Sequence, residues 1–319
     1  LILPTDAAGN YITSPLGDVN VNPLLATTND NYEVQNRFVG NFYGIVKIPA
    51  LPGFSYRVNF GNNLKFFKTY SSSIYGAGFT GEAFKNDATQ YEQTLDNILN
   101  YTRSFGKHRL DATAVYGYNT ARFDRTATRG TGFTDLTLSY NNLALAGLQF
   151  IDSEAWQETL LYQVGSVAYN YGSKYLLKAT VRRDGFSGFA RNNKTGIFPS
   201  LGVGWVLSEE PFFKVPAINF LKIRGSYGEN GNKVARYSSL ARVVAEDASK
   251  YVFGDGGSTV IGRSVSTLAN NDLRWERTRG INVGADFALF NSRLDGNVEY
   301  YNSNTFDLLW SKVLPQTSG

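Results

Sequence analysis

The chain has no cysteine, no methionine and a single histidine, His108, among its 319 residues. Without cysteine there are no disulfides and no thiolate metal sites, which suits a protein exported reduced and unfolded. One histidine cannot build a His-based catalytic triad or a His-rich zinc site within this stretch. No run of residues approaches the uninterrupted apolar length of a transmembrane helix. A dominant charge is missing as well: 31 basic residues face 27 acidic ones, and the net +4 is scattered along the chain. Nucleic acid is therefore not an expected partner, since phosphate tracking needs clustered cations. No charged-then-apolar leader precedes Leu1, and the chain stops in loop chemistry at Leu314-Pro315-Gln316-Thr317-Ser318-Gly319. The expectation is a part of a longer polypeptide.

What is present is aromatic mass, with 20 Tyr and 22 Phe, and a rhythm. Long two-faced segments are joined by connections that are alternately short and long. Gly106-Lys107, Gly172-Ser173 and Asn291-Ser292 are short; 66–90, 122–154 and 230–273 are long and polar. A transmembrane β-barrel has this two-beat pattern, because one rim carries tight turns and the other carries extended loops. A mean hydropathy of −0.25 fits such a barrel, whose strands dilute lipid-facing residues with polar lumen-facing ones.

The first strand, about 33–48, sets Val34, Phe38, Phe42 and Val46 against Glu33, Gln35, Arg37 and Asn41. Its partner sets Phe54, Tyr56, Val58 and Phe60 against Ser55, Arg57 and Asn59. Further strands are predicted at 91–105, 110–118, 155–171, 174–183, 197–208, 220–228, 275–289 and 293–303. That gives about ten, near or above the roughly 9–11 residues a tilted strand needs to cross a bilayer. The alternation falters at Leu160, Leu161, Tyr162 and Val164, so the register of 155–171 stays open. Trp156, Trp275 and Trp310 fall towards the long-loop rim and Trp205 towards the short-turn rim, the placement expected of interfacial aromatic girdles.

Chemical motifs are weak. Gly76-Ala77-Gly78-Phe79-Thr80-Gly81 fits a dinucleotide-loop pattern but lacks the surrounding βαβ unit. Glu209-Glu210 read as solvated turn charges with no cleft around them. Asp255, within Gly254-Asp255-Gly256-Gly257, matches no EF-hand spacing. The sequons at Asn100-Tyr101-Thr102 and Asn193-Lys194-Thr195 read as chance. The chain reads as no enzyme, with no catalytic residue, metal site or cofactor, and its substrate-binding residues are not legible.

Several ordered stretches carry a resemblance. Val181-Arg182-Arg183-Asp184-Gly185-Phe186-Ser187, Phe198-Pro199-Ser200-Leu201-Gly202-Val203-Gly204-Trp205 and Ser208-Glu209-Glu210-Pro211-Phe212 come first. Leu221-Lys222-Ile223-Arg224-Gly225-Ser226-Tyr227-Gly228 and Leu273-Arg274-Trp275-Glu276 follow, then Asn282-Val283-Gly284-Ala285-Asp286-Phe287. Across about 90–310 the chain resembles SusC/RagA-type TonB-dependent outer-membrane transporters. The resemblance implies a plugged, 22-stranded barrel, of which residues 1–319 would form part, with the plug and the C-terminal strands outside this segment. It implies import of oligosaccharides or peptides with a SusD-like surface lipoprotein as lid, driven by TonB-ExbB-ExbD through an N-terminal part not seen here. A homodimer is a further arrangement it allows. A docking subunit of a larger outer-membrane assembly is the alternative. The resemblance assigns no ligand role to Arg182, Arg183, Asp184 or Trp275.

The alternation along 91–105 places Leu95, Leu99 and Phe105 in lipid and Asp96, Asn100 and Thr102 in the lumen. Arginine at position 99 should then cost about 2–4 kcal/mol of folding free energy, and arginine at position 100 far less. Equal losses for Leu99→Arg and Asn100→Arg in reconstituted folding titrations would place the register one residue off.

Overall fold

The computed structural model describes Thr5 and residues 7–9, 23–74, 80–244, 250–252 and 259–310. Its strands, in chain order, are β1 (Asp30–Lys47), β2 (Phe54–Ser73), β3 (Glu82–Phe105), β4 (His108–Phe133) and β5 (Ala146–Tyr171). Then come β6 (Tyr175–Phe186), β7 (Thr195–Val206), β8 (Ile218–Asn232), β9 (Arg242–Val244) and β10 (Lys250–Val252). The last four are β11 (Thr259–Ile261), β12 (Ser264–Thr267), β13 (Glu276–Leu289) and β14 (Leu294–Phe306). Ten form one sheet in the order β1-β2-β3-β4-β5-β6-β7-β8-β13-β14, so the expected ten long strands are present and neighbours in sequence are neighbours in space. β1 and β14 end the sheet and are not paired with each other. Among the described residues no helix is long and apolar enough to cross a membrane.

Two compact units divide the chain: Leu1–Asn41, Gly61–Gln93 and Ala121–Gln157 form one, and Phe42–Phe60, Thr94–Thr120 and Glu158–Gly319 the other. In the second unit the register of β5–β8, β13 and β14 separates two faces row by row. One cross-strand row reads Val167, Ala179, Leu201, Tyr227, Ile281. Another reads Tyr169, Leu177, Val203, Gly225, Val283, Tyr300. Between them, on the opposite face, lies Ala168, Lys178, Gly202, Ser226, Asn282, Tyr301. Leu201, Val203 and Ile281 remain 47%, 52% and 53% exposed, an uncovered apolar surface that water would not tolerate at this extent but hydrocarbon requires.

The long connections differ from expectation. Strand pairing continues through most of 66–90 and 122–154: β2 runs on to Ser73, β3 starts at Glu82, β4 reaches Phe133 and β5 starts at Ala146. The polar composition there marks strand that has left the apolar band, where both faces meet water, rather than loop. The 230–273 segment likewise carries structure, as β9 pairs with β12 and β10 with β11. Gly76–Phe79 of the glycine motif and Asp255 lie outside the described residues.

At the other rim three connections are tight, though two of these are longer than expected: 106–107 is two residues, 172–174 three and 290–293 four. Gly106 and Gly172 take φ +59° and +58°, a conformation open to glycine at little cost. Phe290, Asn291 and Ser292 adopt φ of 55°, 59° and 58° in succession, which for side-chain-bearing residues is strained. Asn219 holds them, its Oδ1 accepting from the backbone N–H of Asn291 at 2.6 Å and of Ser292 at 3.2 Å.

The tryptophans divide. Trp205 lies in an outward aromatic belt beside the tight turns, a chain of ring contacts running Phe105, His108, Tyr171, Tyr175, Trp205, Phe212 at 4.8–6.4 Å. His108, whose Nδ1 lies 2.6 Å from the Tyr169 hydroxyl, is a member of this belt. Trp275 departs from the girdle reading: it is 6% exposed, packed among Phe189 and Phe198. Trp156 stacks on Phe123 at 5.3 Å. Trp310, past β14, is exposed.

Glu210 corrects the reading of Glu209-Glu210 as a solvated pair. Its carboxylate accepts from the Tyr175 hydroxyl at 2.6 Å and from Trp205 Nε1 at 3.1 Å, with Lys174 Nζ at 3.4 Å. Those donors hold its pKa below the ordinary carboxylate value. A depressed folded value means that the stabilisation is present above the unfolded carboxylate pKa of about 4.3 and fades as pH falls below it. Glu210→Gln in the full-length protein should therefore flatten the acid limb of thermal stability. Parallel wild-type and variant curves in detergent would show that Glu210 does not tie the turn to the belt.

Candidate functional site on the inner wall

The inward face is polar because inward positions alternate with the lipid-facing ones, and its polar groups find one another across strands. Asp96 on β3 accepts from Asn59 Nδ2 on β2 at 3.5 Å and from the Tyr162 hydroxyl on β5. Tyr162 must cross β4 to do so. It can because Gly117 stands in between: a Cβ there would lie 2.5 Å from the Tyr162 ring and 2.7 Å from Asp96 Oδ1. This settles the open register of β5, with Tyr162 inward and Leu161 outward. On the far side Arg182 covers the Tyr162 ring at 5.0 Å and donates from Nε to both oxygens of Asp184, at 2.9 and 2.8 Å. Asp96 thus points inward as expected, as does Asn100, which accepts from Thr113 at 2.9 Å. Leu99 and Phe105 are exposed on the outward face.

The same device recurs on β8–β13–β14. Arg224, Gly284 and Glu299 form one cross-strand row. Arg224 reaches over Gly284 to donate to Glu299, and its Nε donates to Asp286 Oδ1 at 3.0 Å. A Cβ on Gly284 would stand 3.3 Å from the Arg224 Cζ and 3.1 Å from the Val298 carbonyl. Lys222 Nζ adds 3.4 Å to Asp286, and Asn282 donates to Glu299 at 3.0 Å. Near this network the wall is hollowed by an open recess of about 360 Å³, where Gly202 and Gly204 lie among Arg109, Lys178, Lys222 and Arg224. Among the described residues no group of acidic or histidine side chains is arranged to hold a metal.

Where the strands give way to the 230–273 segment, Phe186, Phe189, Phe198, Val234 and Trp275 form a buried cluster. Phe189 lies 4.8 Å and Phe198 5.5 Å from Trp275, ring to ring. Buried Ser239 donates to the Gly188 carbonyl at 3.0 Å, and Lys233 bridges Glu158 at 2.7 Å with its ammonium 4.6 Å over Phe186. Phe186, just after the Arg-Arg-Asp-Gly run, and Leu273 and Trp275 of the Leu-Arg-Trp-Glu run therefore anchor the base of a long connection here.

The first unit offers its own aromatic surface. Tyr70 stacks on Tyr32 at 5.5 Å and lies 5.4 Å from Tyr140, bringing together residues of the expected 66–90 and 122–154 connections. Its hydroxyl donates to Asp87 at 2.6 Å, and this bond to a carboxylate pushes the phenol up to about 12. The inward side of this unit is ion-paired, with Arg129 to Glu82 at 2.5 Å and Arg125 to Asp152. Sequence reasoning missed these two ion pairs because their partners lie 47 and 27 residues apart.

Residues 4–318 match the family described as TonB dependent receptor-like, beta-barrel. The chain belongs to that family. It is 34% identical over 322 residues to TonB-dependent receptor P3 of Formosa agariphila, covering 98% of this chain and 32% of that protein. To TonB-dependent receptor SusC of Bacteroides thetaiotaomicron it is 31% identical over 314 residues, covering 96% of this chain and 30% of the relative. Among solved structures it is similar to the RagAB peptide transporter, with a TM-score of 0.83 at 22% identity over 99% of this chain and 35% of that one. The chain spans about a third of the length of these relatives. It is a wall segment of a SusC/RagA-type TonB-dependent receptor, and it resides in the outer membrane.

The two glycine crossings generate a test. Gly117→Val should push Tyr162 off Asp96, and Gly284→Val should part Arg224 from Glu299, each costing about 1–3 kcal/mol as overpacking does. Gly165→Ala, on the open outward face, should cost much less. Equal losses at all three positions in denaturant titrations would remove any special role for the crossings.

Proposed function

We propose that the full-length protein is a TonB-dependent importer of oligosaccharides or peptides, working with a SusD-like surface lipoprotein. The observation that carries this reading is the inner wall. Its side chains are polar, cross-linked between strands and spaced by glycines, a surface suited to sliding contact with a plug and with a polar oligomeric ligand. Family membership supports the transport role, and the solved relative is described as a peptide transporter. In this reading residues 1–319 supply ten wall strands, while a plug and the strands that meet β1 and β14 come from elsewhere in the polypeptide. Energy comes from TonB-ExbB-ExbD, and the protein is not an enzyme. Sugar and peptide remain alternative cargoes, since Tyr, Asn, Asp and Arg on the wall suit both.

The long-connection surfaces, namely the Tyr32–Tyr70–Tyr140 patch and the β9–β12 hairpins, are the proposed lipoprotein contacts. Tyrosine-rich, mixed polar surfaces of this kind give adaptable hydrogen bonding with large contact area. A clean test replaces residues 241–268 by a short Gly-Ser linker, leaving Val234, Ser239, Leu273 and Trp275 to seal the base. The barrel should still assemble, while lipoprotein co-purification and growth on the cognate glycan or peptide are lost. If both persist, or uptake continues without TonB, a docking subunit of a larger outer-membrane assembly becomes the better reading.

A further inference from the structure

Just past β8 the chain turns back across the wall. Lys233 follows Asn232, the last residue of β8, and its Nζ stands 2.7 Å from Glu158 Oε1 on β5. β5 is three places from β8 in the sheet, about 14 Å at the usual strand spacing. Arg236 Nη1 comes to 3.7 Å from the other carboxylate oxygen, Oε2. Ser239, 2% exposed, donates to the Gly188 carbonyl at 3.0 Å, within the connection that joins β6 to β7. Residues 233–239 form a strap over the ends of β6 and β7.

Both ends of the strap are fixed. The Asn232 side chain donates to Glu276 Oε1 on β13 at 3.1 Å, and the Ser239 carbonyl accepts from the Asn270 N–H at 3.1 Å. Glu158 stands thirteen positions from Tyr171, the tight-turn end of β5. At about 3.3 Å per residue and a tilt of roughly 40°, that is about 33 Å, beyond an apolar band of about 25 Å. Glu158 also shares the inward face of β5 with Tyr162. The strap therefore lies at the mouth of the lumen, within reach of water.

Two opposed terms act on the closed strap. Holding it shut are the ion pairs at Glu158, the Ser239 hydrogen bond, and Val234 buried among Phe186, Phe189, Phe198 and Trp275. Against it stands the indole of Trp275 in the same cluster. Its Nε1–H is buried and has no acceptor among the described residues. A buried donor without a partner forfeits the hydrogen bond that water would give it, a penalty that opening removes. The strap contributes one small apolar side chain to the cluster to set against that penalty.

We propose that residues 233–239 are a two-position strap, latched shut at Glu158 and biased towards opening by the unmet N–H of Trp275. Closed, it covers the aromatic cluster with Val234. Open, it hydrates the indole and uncovers the rings of Phe189, Phe198 and Trp275 at the lumen mouth. The population of the open form follows these few contacts rather than the stability of the wall, as local opening does. The inference is independent of what the protein transports.

Amide hydrogen exchange of the full-length protein in detergent, followed by mass spectrometry on peptides covering 233–240, reads the opening. Trp275→Phe keeps an aromatic ring and removes the donor, so exchange there should slow about tenfold. A tryptophan that served only for packing would behave oppositely, since the smaller ring would loosen the cluster and quicken exchange. Glu158→Gln and Lys233→Met should each speed exchange severalfold, and the double variant should add little, because both break one pair. Peptides within 175–181 of β6 should not respond to any of these changes. Faster or unchanged exchange in Trp275→Phe overturns the strap, as does unchanged exchange in Glu158→Gln. Residues 1–319 contain no cysteine, so Val234→Cys in a cysteine-free full-length background gives a second reading by maleimide labelling. Its rate should rise severalfold with Glu158→Gln. Labelling that is absent, or indifferent to Glu158, overturns the strap even if Trp275→Phe fails to assemble.

Discussion

In hydrocarbon no water is present to satisfy a backbone N–H or C=O, so every such group must be paired within the protein. The rest of the structure depends on that demand. It accounts for the unbroken ladder from β1 to β8 and on to β13 and β14, with each strand bonded to its sequence neighbour among the long strands. It also accounts for turns held by their own hydrogen bonds. The three left-handed residues Phe290, Asn291 and Ser292 would be costly in isolation, yet Asn219 collects two of their N–H groups and makes the reversal tolerable.

A strand with its backbone committed can vary only its two faces. Outward, the choice is apolar mass in the middle and aromatic rings at the tight-turn rim, where Glu210 ties Tyr175 and Trp205 to the turn. Inward, polar side chains must satisfy one another, and neighbouring strands are often too close for long groups to meet comfortably. Glycine resolves this. Gly117 lets Tyr162 pass over β4 to Asp96, and Gly284 lets Arg224 pass over β13 to Glu299. Each crossing joins three strands through one missing Cβ, so the wall is braced without a conventional core. Among the described residues the well-buried apolar cluster, around Phe198 and Trp275, sits where the long 230–273 connection leaves the strands.

Period-two alternation, turn residues and the absence of cysteine and long apolar runs were enough to read an outer-membrane barrel wall and its ten strands. Those signals are local, and bilayer pairing makes local patterning decisive. Strand extent beyond the band was misread at 66–90 and 122–154 because outside lipid neither face need be apolar, so the alternation that marks a strand vanishes while the hydrogen bonding continues. The tryptophans show the same limit. Trp205 and Trp275 both stand near strand ends in sequence, but one faces the interface and the other is sealed beneath Phe189, since the chain that covers it arrives from Val234.

By itself the sequence determined the class of solvent, the number of long strands and, except for β5, which face of a strand meets lipid, because these follow from residue type at alternate positions. Only the tertiary structure decided which polar groups meet. Asp96 and Tyr162 are 66 residues apart and Arg224 and Glu299 are 75 apart, and their contact depends on register between strands and on a glycine in the strand between.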